Sequence, residues 1–85
     1  MKFFIKNYID KIDVYDIVKF GENNGIYISL DEASVLYVYL KNNWEDLLYG
    51  DPVPIINDMK YKLGDRAFEI EKIYYYYKEK YKSYL

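Results

Sequence analysis

The sequence contains no cysteine and no histidine, and these two absences remove several kinds of chemistry. Without cysteine the chain can form no disulfide and offers no thiolate to a metal or a substrate. Without histidine it lacks a common metal ligand and the side chain best suited to proton transfer near neutral pH. We therefore expect no bound metal, no cofactor and no enzymatic activity.

Arginine and long apolar runs are also scarce. A single arginine, Arg66, accompanies the lysines, and none of the four glycines belongs to a phosphate-binding loop. No window approaches the roughly 18 apolar residues of a membrane span. Lys6, Asn7 and Asp10 interrupt the apolar start well short of a signal-peptide core. We expect a soluble, cytoplasmic protein with no membrane partner.

The composition is that of a folded globular domain. Hydrophobic residues make up 52% and charged residues 31% of the 85 positions, which supplies enough apolar surface to offset the entropy of folding. A chain of this length fits one domain, covering residues 1–85. The net charge of −2 is too small to indicate that the protein binds a polyanion or mimics DNA.

Helix signals divide the first half of the chain. Residues 2–10 form a plausible first helix, and Asp13 can cap a second one that ends at the Asn-Asn-Gly of residues 23–25. Ser29 and Glu32 have the spacing of a capping box, in which two residues at a helix start bond each other's backbone. This pair predicts a third helix that runs to about Asn43.

The second half predicts two more helices. Asp51 can cap a fourth helix with Pro52 at its first position, where a missing N–H costs nothing. Gly64 ends that helix, and Asp65 is predicted to cap a last one that runs nearly to the end of the chain. Only "GIYIS" could make one short strand bridge. The fold class is therefore all-α, a compact bundle of four to five short helices with a long C-terminal helix.

The third helix is apolar on two sides, which is typical of a central helix or of one that also meets a partner. One face carries Ala33, Leu36, Tyr37, Leu40 and Trp44. Val35, Val38 and Tyr39 project elsewhere, and we expect this outer side to be a candidate partner surface. Trp44 continues the buried face, and two alternatives stay open for it, core packing or an interface anchor beside Tyr49.

Tyrosine is abundant, with 13 copies, and codons rich in A and T could account for much of it. Helical spacing places most aromatic side chains of the last helix in one packing stripe, formed by Ala67, Ile70, Ile73, Tyr74, Tyr77, Tyr81, Tyr84 and Leu85. Phe68 and Tyr75 form a second ridge beside the stripe, and Tyr76 points away from it. We take Tyr75 and Tyr76 as further candidates for partner binding.

Nucleic-acid binding is the alternative function. Lysines interleaved with a stacking aromatic can hold single-stranded RNA or DNA, and the residues available for this are Lys72, Tyr76, Lys80 and Lys82. One exposed tyrosine is a poor stacking platform, so nucleic acid is the weaker candidate. The segment "FGENNGIYISLDEA" lacks the ligands of a calcium loop and would present acidic residues to a DNA groove, which argues against both of those sites.

Three segments together resemble the small uncharacterised YqfT-like proteins of Firmicutes. They are "NNGIYISLDEA" after a helix, an amphipathic helix ending near "YLKNNW", and a terminal helix with "YKEKY". The resemblance spans most of the chain. It implies an all-helical fold and assigns no activity and no functional residue.

These observations predict a small non-enzymatic module for protein interaction or regulation. An adaptor and an inhibitor both fit, and the module would work alone or as a homodimer. Its partner is an unidentified protein or a second copy of the chain. The surfaces expected to meet it are the outer side of the third helix and the tyrosine-rich last helix.

Overall fold

A computed structural model describes residues 2–85, which form five α-helices and a short 3-10 turn. The elements in chain order are α1 (Lys2–Lys11), α2 (Val14–Asn23), α3 (Leu30–Leu48), α4 (Val53–Leu63), α5 (Arg66–Lys80) and the 3-10 turn Lys82–Tyr84. Residues 2–85 contain no strand, so the prediction of an all-α bundle is confirmed and the short bridge at "GIYIS" is absent.

The last helix is shorter than predicted. Helix α5 has 15 residues, whereas α3 has 19 and is the longest element of the bundle. The backbone leaves helical geometry at Tyr81, with φ −108° and ψ 13°. The chain then finishes in the 3-10 turn, so the predicted stripe does not continue on one straight helix.

Reciprocal capping begins both helices of the α2–α3 hairpin. The Ser29 hydroxyl accepts a hydrogen bond from the Glu32 N–H at 3.1 Å, and the Glu32 carboxylate accepts one from the Ser29 N–H at 3.0 Å. Asp13 and Asp16 make the same exchange at the start of α2, at 2.9 and 3.0 Å. These bonds satisfy backbone N–H groups that have no partner within the helix. The sequence had indicated Asp13 as a single cap, and the structure adds Asp16.

The starts of α4 and α5 differ from the sequence prediction. Helix α4 begins at Val53, one residue after the predicted first position. The Asp51 carboxylate accepts a hydrogen bond from the Val53 N–H at 3.1 Å. The prediction that Asp65 caps α5 through its side chain is wrong. Asp65 has helical backbone angles, φ −59° and ψ −26°, whereas a capping residue needs an extended backbone to aim its oxygen at the first turn.

Helix α3 kinks where the sequence predicted its end. Asn43 has φ −130° and ψ 15°, outside the helical range, and the chain then resumes a helix as far as Leu48. Trp44 and Leu47 belong to this final segment. The kink therefore separates the part of α3 that packs on α2 from the part that carries the tryptophan.

Two groups of buried side chains hold the bundle together. Ile17, Ile28 and Ala33 form the core of the α2–α3 hairpin. Tyr39, Leu47, Ile56, Met59 and Ala67 form the core shared by α3, α4 and α5. Leu36 packs against both groups, so α3 is the central helix of the fold.

The expectation that Tyr39 lies on an outer side of α3 is wrong. Its side chain is only 9% exposed, and its hydroxyl donates a hydrogen bond to the carboxylate of Asp58 on α4. Val35 is half-buried against the same core, whereas Val38 is 51% exposed. Because α4 packs on this side of α3, Val38 alone of the three predicted residues faces outward.

Candidate functional site

An apolar cleft of about 470 Å³ lies between α5 and helices α1 to α4. Its lining is almost entirely aliphatic and aromatic, with Asp16 and Lys78 as the charged exceptions. Among the lining side chains are Ile9, Ile12, Ile17 and Phe20 on the side of α1 and α2, Leu40, Trp44 and Leu47 on α3, and Ile73, Tyr74, Tyr77 and Tyr81 on α5. We call the space bounded by these residues the cleft.

Two tyrosines of α5 reach across the cleft to the opposite wall. The Tyr74 hydroxyl donates a hydrogen bond to the backbone carbonyl of Leu47, and the Tyr77 hydroxyl donates one to Oδ1 of Asn24 at 2.9 Å. Tyrosine suits this position because its ring is apolar while its tip needs a polar partner when it is buried. The two side chains therefore join α5 to α2 and α3 while keeping the helices apart.

Aromatic rings continue from the cleft to its open end. Phe20 and Tyr77 lie with their ring centroids 5.3 Å apart, and Tyr77 and Tyr81 are stacked at 6.1 Å with an angle of 7° between the rings. Tyr84 follows Tyr81 at 6.1 Å. We call Phe20, Tyr77, Tyr81 and Tyr84 the aromatic row.

The outer half of the aromatic row is not packed, in contrast to the sequence prediction. Tyr81 and Tyr84 are 44% and 59% exposed, although helical spacing had assigned both to the packing stripe. The helix ends at Lys80, and the turn that follows it packs chiefly on α5 itself. The prediction holds for the inner part of the stripe, where Ala67 is fully buried and Ile70 and Tyr74 pack against the core.

A recess of about 390 Å³ extends the cleft between α1 and α2. Tyr8, Ile12, Asp16 and Phe20 line both spaces, so the recess adjoins the cleft. The outer lining of the recess adds Lys11, Lys19 and Asn23. The apolar floor thus ends in a rim of polar and basic side chains.

An empty and enclosed space of this size would lower the stability of the fold. A closed and dry cavity destabilises a protein by about 24 cal/mol per Å³, so a volume of 470 Å³ would cost on the order of 10 kcal/mol. That is comparable with the entire free energy of unfolding of a small domain. The cleft is not enclosed, because lining residues such as Trp44 and Tyr77 are only half-buried and Tyr81 is exposed, so water can reach part of its walls. An apolar ligand that displaced this water would gain hydrophobic free energy.

Burial in the cleft changes the acidity of Tyr74. Desolvation raises the pKa of its hydroxyl to about 12, and the neighbouring Tyr75 adds to the increase. The phenol is therefore neutral at physiological pH and acts as a hydrogen-bond donor. This hydroxyl donates to the Leu47 carbonyl, and we assign it a structural role.

The other predicted candidates lie in separate places. Trp44 is half-buried in the cleft lining, and its ring meets Tyr49 edge-to-face at 6.4 Å. Tyr75 and Tyr76 are 41% and 60% exposed on the side of α5 that faces away from the cleft. Val38 stands apart on α3. The predicted partner-binding residues therefore do not form one surface.

Phe20 and Tyr8 line the cleft but are not among the site residues predicted from the sequence. Phe20 follows the buried positions of α2 without falling on their face, and Tyr8 is one of several aromatic residues on α1. Only the contact of Phe20 with Tyr77 on another helix identifies its role. No local sequence signal encodes that contact.

The residues of the nucleic-acid alternative are only partly brought together. Lys72, Tyr76 and Lys80 are exposed on α5, with the Lys80 Nζ 5.8 Å from the centroid of the Tyr76 ring. Lys82 instead pairs with Glu79 at 2.6 Å. Within this predicted set only one lysine lies beside an exposed ring, which is short of the repeated stacking surface that single strands require.

No family model, curated protein or solved structure matches the chain. The resemblance to YqfT-like proteins stays a prediction. In residues 2–85, no helix combines the length and apolar character needed to cross a membrane. The same residues contain no cluster of three or more acidic side chains placed to hold a metal ion.

Proposed function

We propose that the protein is a small non-enzymatic interaction module of the cytoplasm that binds an amphipathic helix of a partner protein in the cleft. The observation that carries this proposal is an open cleft of about 470 Å³ with an almost wholly apolar lining. Trp44, Tyr77 and Tyr81 supply the large aromatic surfaces on which binding energy concentrates at protein interfaces. An adaptor and an inhibitor both work through such a surface.

A helix suits the lining better than an extended peptide does. An extended segment leaves backbone N–H and C=O groups that need partners, and a strand edge normally supplies them. Residues 2–85 contain no strand, and the cleft walls offer few polar atoms. A helix satisfies its own backbone, so it can lie along an apolar cleft and insert only side chains without losing hydrogen bonds.

The cleft is a better candidate than the outer side of α3. Val38 is exposed, but Val35 and Tyr39 are taken up by the packing of α4 and offer little area around it. A single exposed valine is ordinary for a protein surface. The cleft, in contrast, gathers side chains from several helices into one concave apolar surface.

Trp44 makes the proposal measurable, because the chain has one tryptophan and it lines the cleft. The probe is a synthetic 18-residue helical peptide with leucine at the spacing of one helix face and glutamine and serine elsewhere. We expect a saturable change in Trp44 fluorescence. Amide chemical shifts should change at cleft residues and should stay constant around Val38.

A matched pair of variants tests the location. Tyr81→Ala removes an exposed cleft residue and should weaken the peptide about tenfold, the loss typical of an interface aromatic. Tyr76→Ala makes the same change on the opposite side of α5 and should leave affinity unchanged. Equal effects of the two variants, or shift changes confined to the outer side of α3, would contradict the proposal.

If the protein instead binds nucleic acid, the same variants should have the opposite effects on binding. A 12-nucleotide single-stranded RNA should then bind, Tyr76→Ala and Lys80→Ala together should abolish its retention, and its affinity should fall steeply with salt. Binding of the neutral peptide depends on apolar burial and should barely respond to salt.

A further inference from the structure

A group of lysines without acidic partners surrounds the cleft. Lys11 and Lys19 line the recess between α1 and α2, and Lys78 lines the cleft itself. Lys80 lies over the aromatic row, with its Nζ 5.9 Å from the centroid of the Tyr77 ring and 5.4 Å from that of Tyr81. We call these four residues the basic rim.

The basic rim differs from the rest of the surface. Elsewhere most lysines have a carboxylate nearby, as in the pairs of Lys2 with Glu45 and Lys60 with Glu71, both at 3.0 Å. Within residues 2–85, no carboxylate lies within 4.0 Å of any lysine of the rim. The whole protein carries a net charge of −2, so the rim is positive against an acidic background.

The one carboxylate in the shared lining of the cleft and recess is already engaged. Asp16 accepts a hydrogen bond from the Asp13 N–H at 3.0 Å as part of the α2 capping box. The capping bond holds the carboxylate at the start of α2, and no lysine of residues 2–85 lies within 4.0 Å of it. The apolar cleft thus lies between two pairs of cations, one on α1 and α2 and one on α5.

We propose that the helix bound in the cleft carries acidic residues on the sides that flank its apolar face. This inference rests on the proposed function and names the chemistry of the partner. Glutamates or aspartates at the edges of the apolar face would reach the rim while leucine-like side chains fill the cleft. Opposite charges at the edge of an interface select the partner and speed its association.

The charge of the terminal helices argues against a second copy of this chain as the occupant. Helix α1 carries Lys2, Lys6 and Lys11 against Asp10 alone, and the last turns of α5 carry Lys78 and Lys80 against Glu79. If α1 or α5 of one copy bound in the cleft of another copy, it would bring lysines next to the lysines of the basic rim. The expected partner is a different protein.

The test compares three synthetic peptides that share one leucine face and differ only at the flanking positions, which are glutamate, glutamine or lysine. Trp44 fluorescence at 50 mM and 500 mM NaCl gives the affinities. We expect the glutamate peptide to bind about tenfold more tightly than the glutamine peptide at low salt. The difference should shrink at high salt, where exposed charges are screened.

Two charge-reversal variants of α5 test whether the basic rim causes the preference for the glutamate peptide. Lys80→Glu reverses a rim charge and should lower the affinity of the glutamate peptide about fivefold without affecting the glutamine peptide. Lys72→Glu reverses an exposed lysine that does not line the cleft and should change neither affinity. Circular dichroism checks that both variants keep the helical content of the wild type.

The outcomes separate the two proposals. Equal binding of all three peptides would overturn the acidic partner and leave helix binding in place. If none of the peptides binds, both proposals fail. Saturable binding of sodium laurate to the cleft, lost in Lys80→Glu and without any preference for the glutamate peptide, would instead identify an anionic amphiphile as the occupant and overturn this inference.

Discussion

The Tyr77 hydroxyl donates a hydrogen bond to Oδ1 of Asn24 across 2.9 Å and thereby joins the middle of α5 to the end of α2. The Asn24 amide nitrogen in turn donates to the backbone carbonyl of Phe20 at 2.8 Å, which orients the side chain. The Tyr77 ring packs on Phe20 as well. The separation of α2 and α5 at the open end of the cleft therefore depends on these three residues.

The first prediction concerns this hydrogen bond. Tyr77→Phe keeps the ring and leaves Asn24 without its donor, so we expect the free energy of unfolding to fall by about 1 kcal/mol. Tyr77→Ala also removes a half-buried ring and should cost about 2 kcal/mol. Urea denaturation measures both. Tyr76→Phe is the control, and a loss equal to that of Tyr77→Phe would show that the Asn24 contact contributes nothing.

The second prediction concerns Tyr74 at alkaline pH. Burial raises its pKa from 10.0 to about 12 in the folded protein, so folding favours the neutral phenol. This stabilising contribution is complete below pH 10 and is lost as the pH rises through the folded value. Tyr74→Phe cannot ionise and should lose less stability than the wild type between about pH 9 and pH 12.

The measurement for Tyr74 is the urea midpoint at a series of alkaline pH values. Tyr15→Phe is the matched control, because Tyr15 is 70% exposed on α2. The control should follow the wild-type pH dependence. A Tyr74→Phe curve parallel to that of the wild type would contradict the role given to burial.

The third prediction concerns Glu32 at acid pH. The hydrogen bond from the Ser29 backbone is the largest cause that lowers the pKa of this carboxyl, and Arg66 adds to it. The ionised form therefore stabilises the fold above the ordinary pKa of 4.5, and the contribution disappears as the pH falls through the lowered value. Glu32→Gln can keep the capping box but loses the charge facing Arg66.

We expect Glu32→Gln to lower the free energy of unfolding by up to about 1 kcal/mol at pH 7, with the difference closing at acid pH. Glu22→Gln changes an exposed glutamate on α2 and should show no such closing. Thermal unfolding from pH 7 to pH 3 measures both variants. A constant gap for Glu32→Gln across this range would mean that its charge is unimportant.

The fourth prediction concerns Gly21 and Gly25, whose substitutions should destabilise the fold for different physical reasons. A Cβ at Gly21 would lie 2.7 Å from Cδ1 of Ile28, so Gly21→Ala should destabilise the hairpin by about 1–2 kcal/mol through steric overlap. Cγ1 of Ile28 would also lie 2.8 Å from this Cβ, so Ile28→Ala, which removes both atoms, should make Gly21→Ala less costly than it is in the wild type. Gly25 has φ 81° and nothing near its Cβ position, so its substitution acts through the backbone.

The expected pattern for Gly25 follows from its left-handed backbone. Gly25→Ala should cost about 1 kcal/mol, whereas Gly25→Asn should cost less, because asparagine tolerates this conformation. Urea denaturation measures Gly21→Ala in the wild type and in Ile28→Ala, together with the two Gly25 variants. If Gly21→Ala cost as much in Ile28→Ala as in the wild type, steric overlap with Ile28 would not be the cause of that loss.

The parts of the fold that the sequence predicted correctly depend on neighbouring residues. Ser29 and Glu32 predict the start of α3, because both residues of a capping box lie within four positions of the chain. Gly64 ends α4 because its φ of 62° suits a residue without a side chain. Asp65 shows the limit of this reasoning, since its residue type favours a cap while the preceding turn holds it in helical geometry.

The candidate site was predicted only in pieces. Periodicity placed Trp44 and Tyr77 on apolar faces, and both line the cleft. It also placed Tyr81 and Tyr84 in the packing stripe, where they are exposed. Periodicity shows which side chains share a face of a helix, but it does not show whether another helix covers that face.

The five helices, their main caps and the absence of thiol and imidazole chemistry are set by the amino-acid sequence alone, because each depends on residue type or on contacts a few positions apart. The packing of the helices sets the rest. It buries Tyr39, leaves a cleft between α5 and the other helices that Tyr77 spans to α2, and places four lysines near that cleft. Those features depend on where helices distant in the chain come to lie. Tyrosine hydroxyls and one asparagine, 53 positions from Tyr77, hold that arrangement in place.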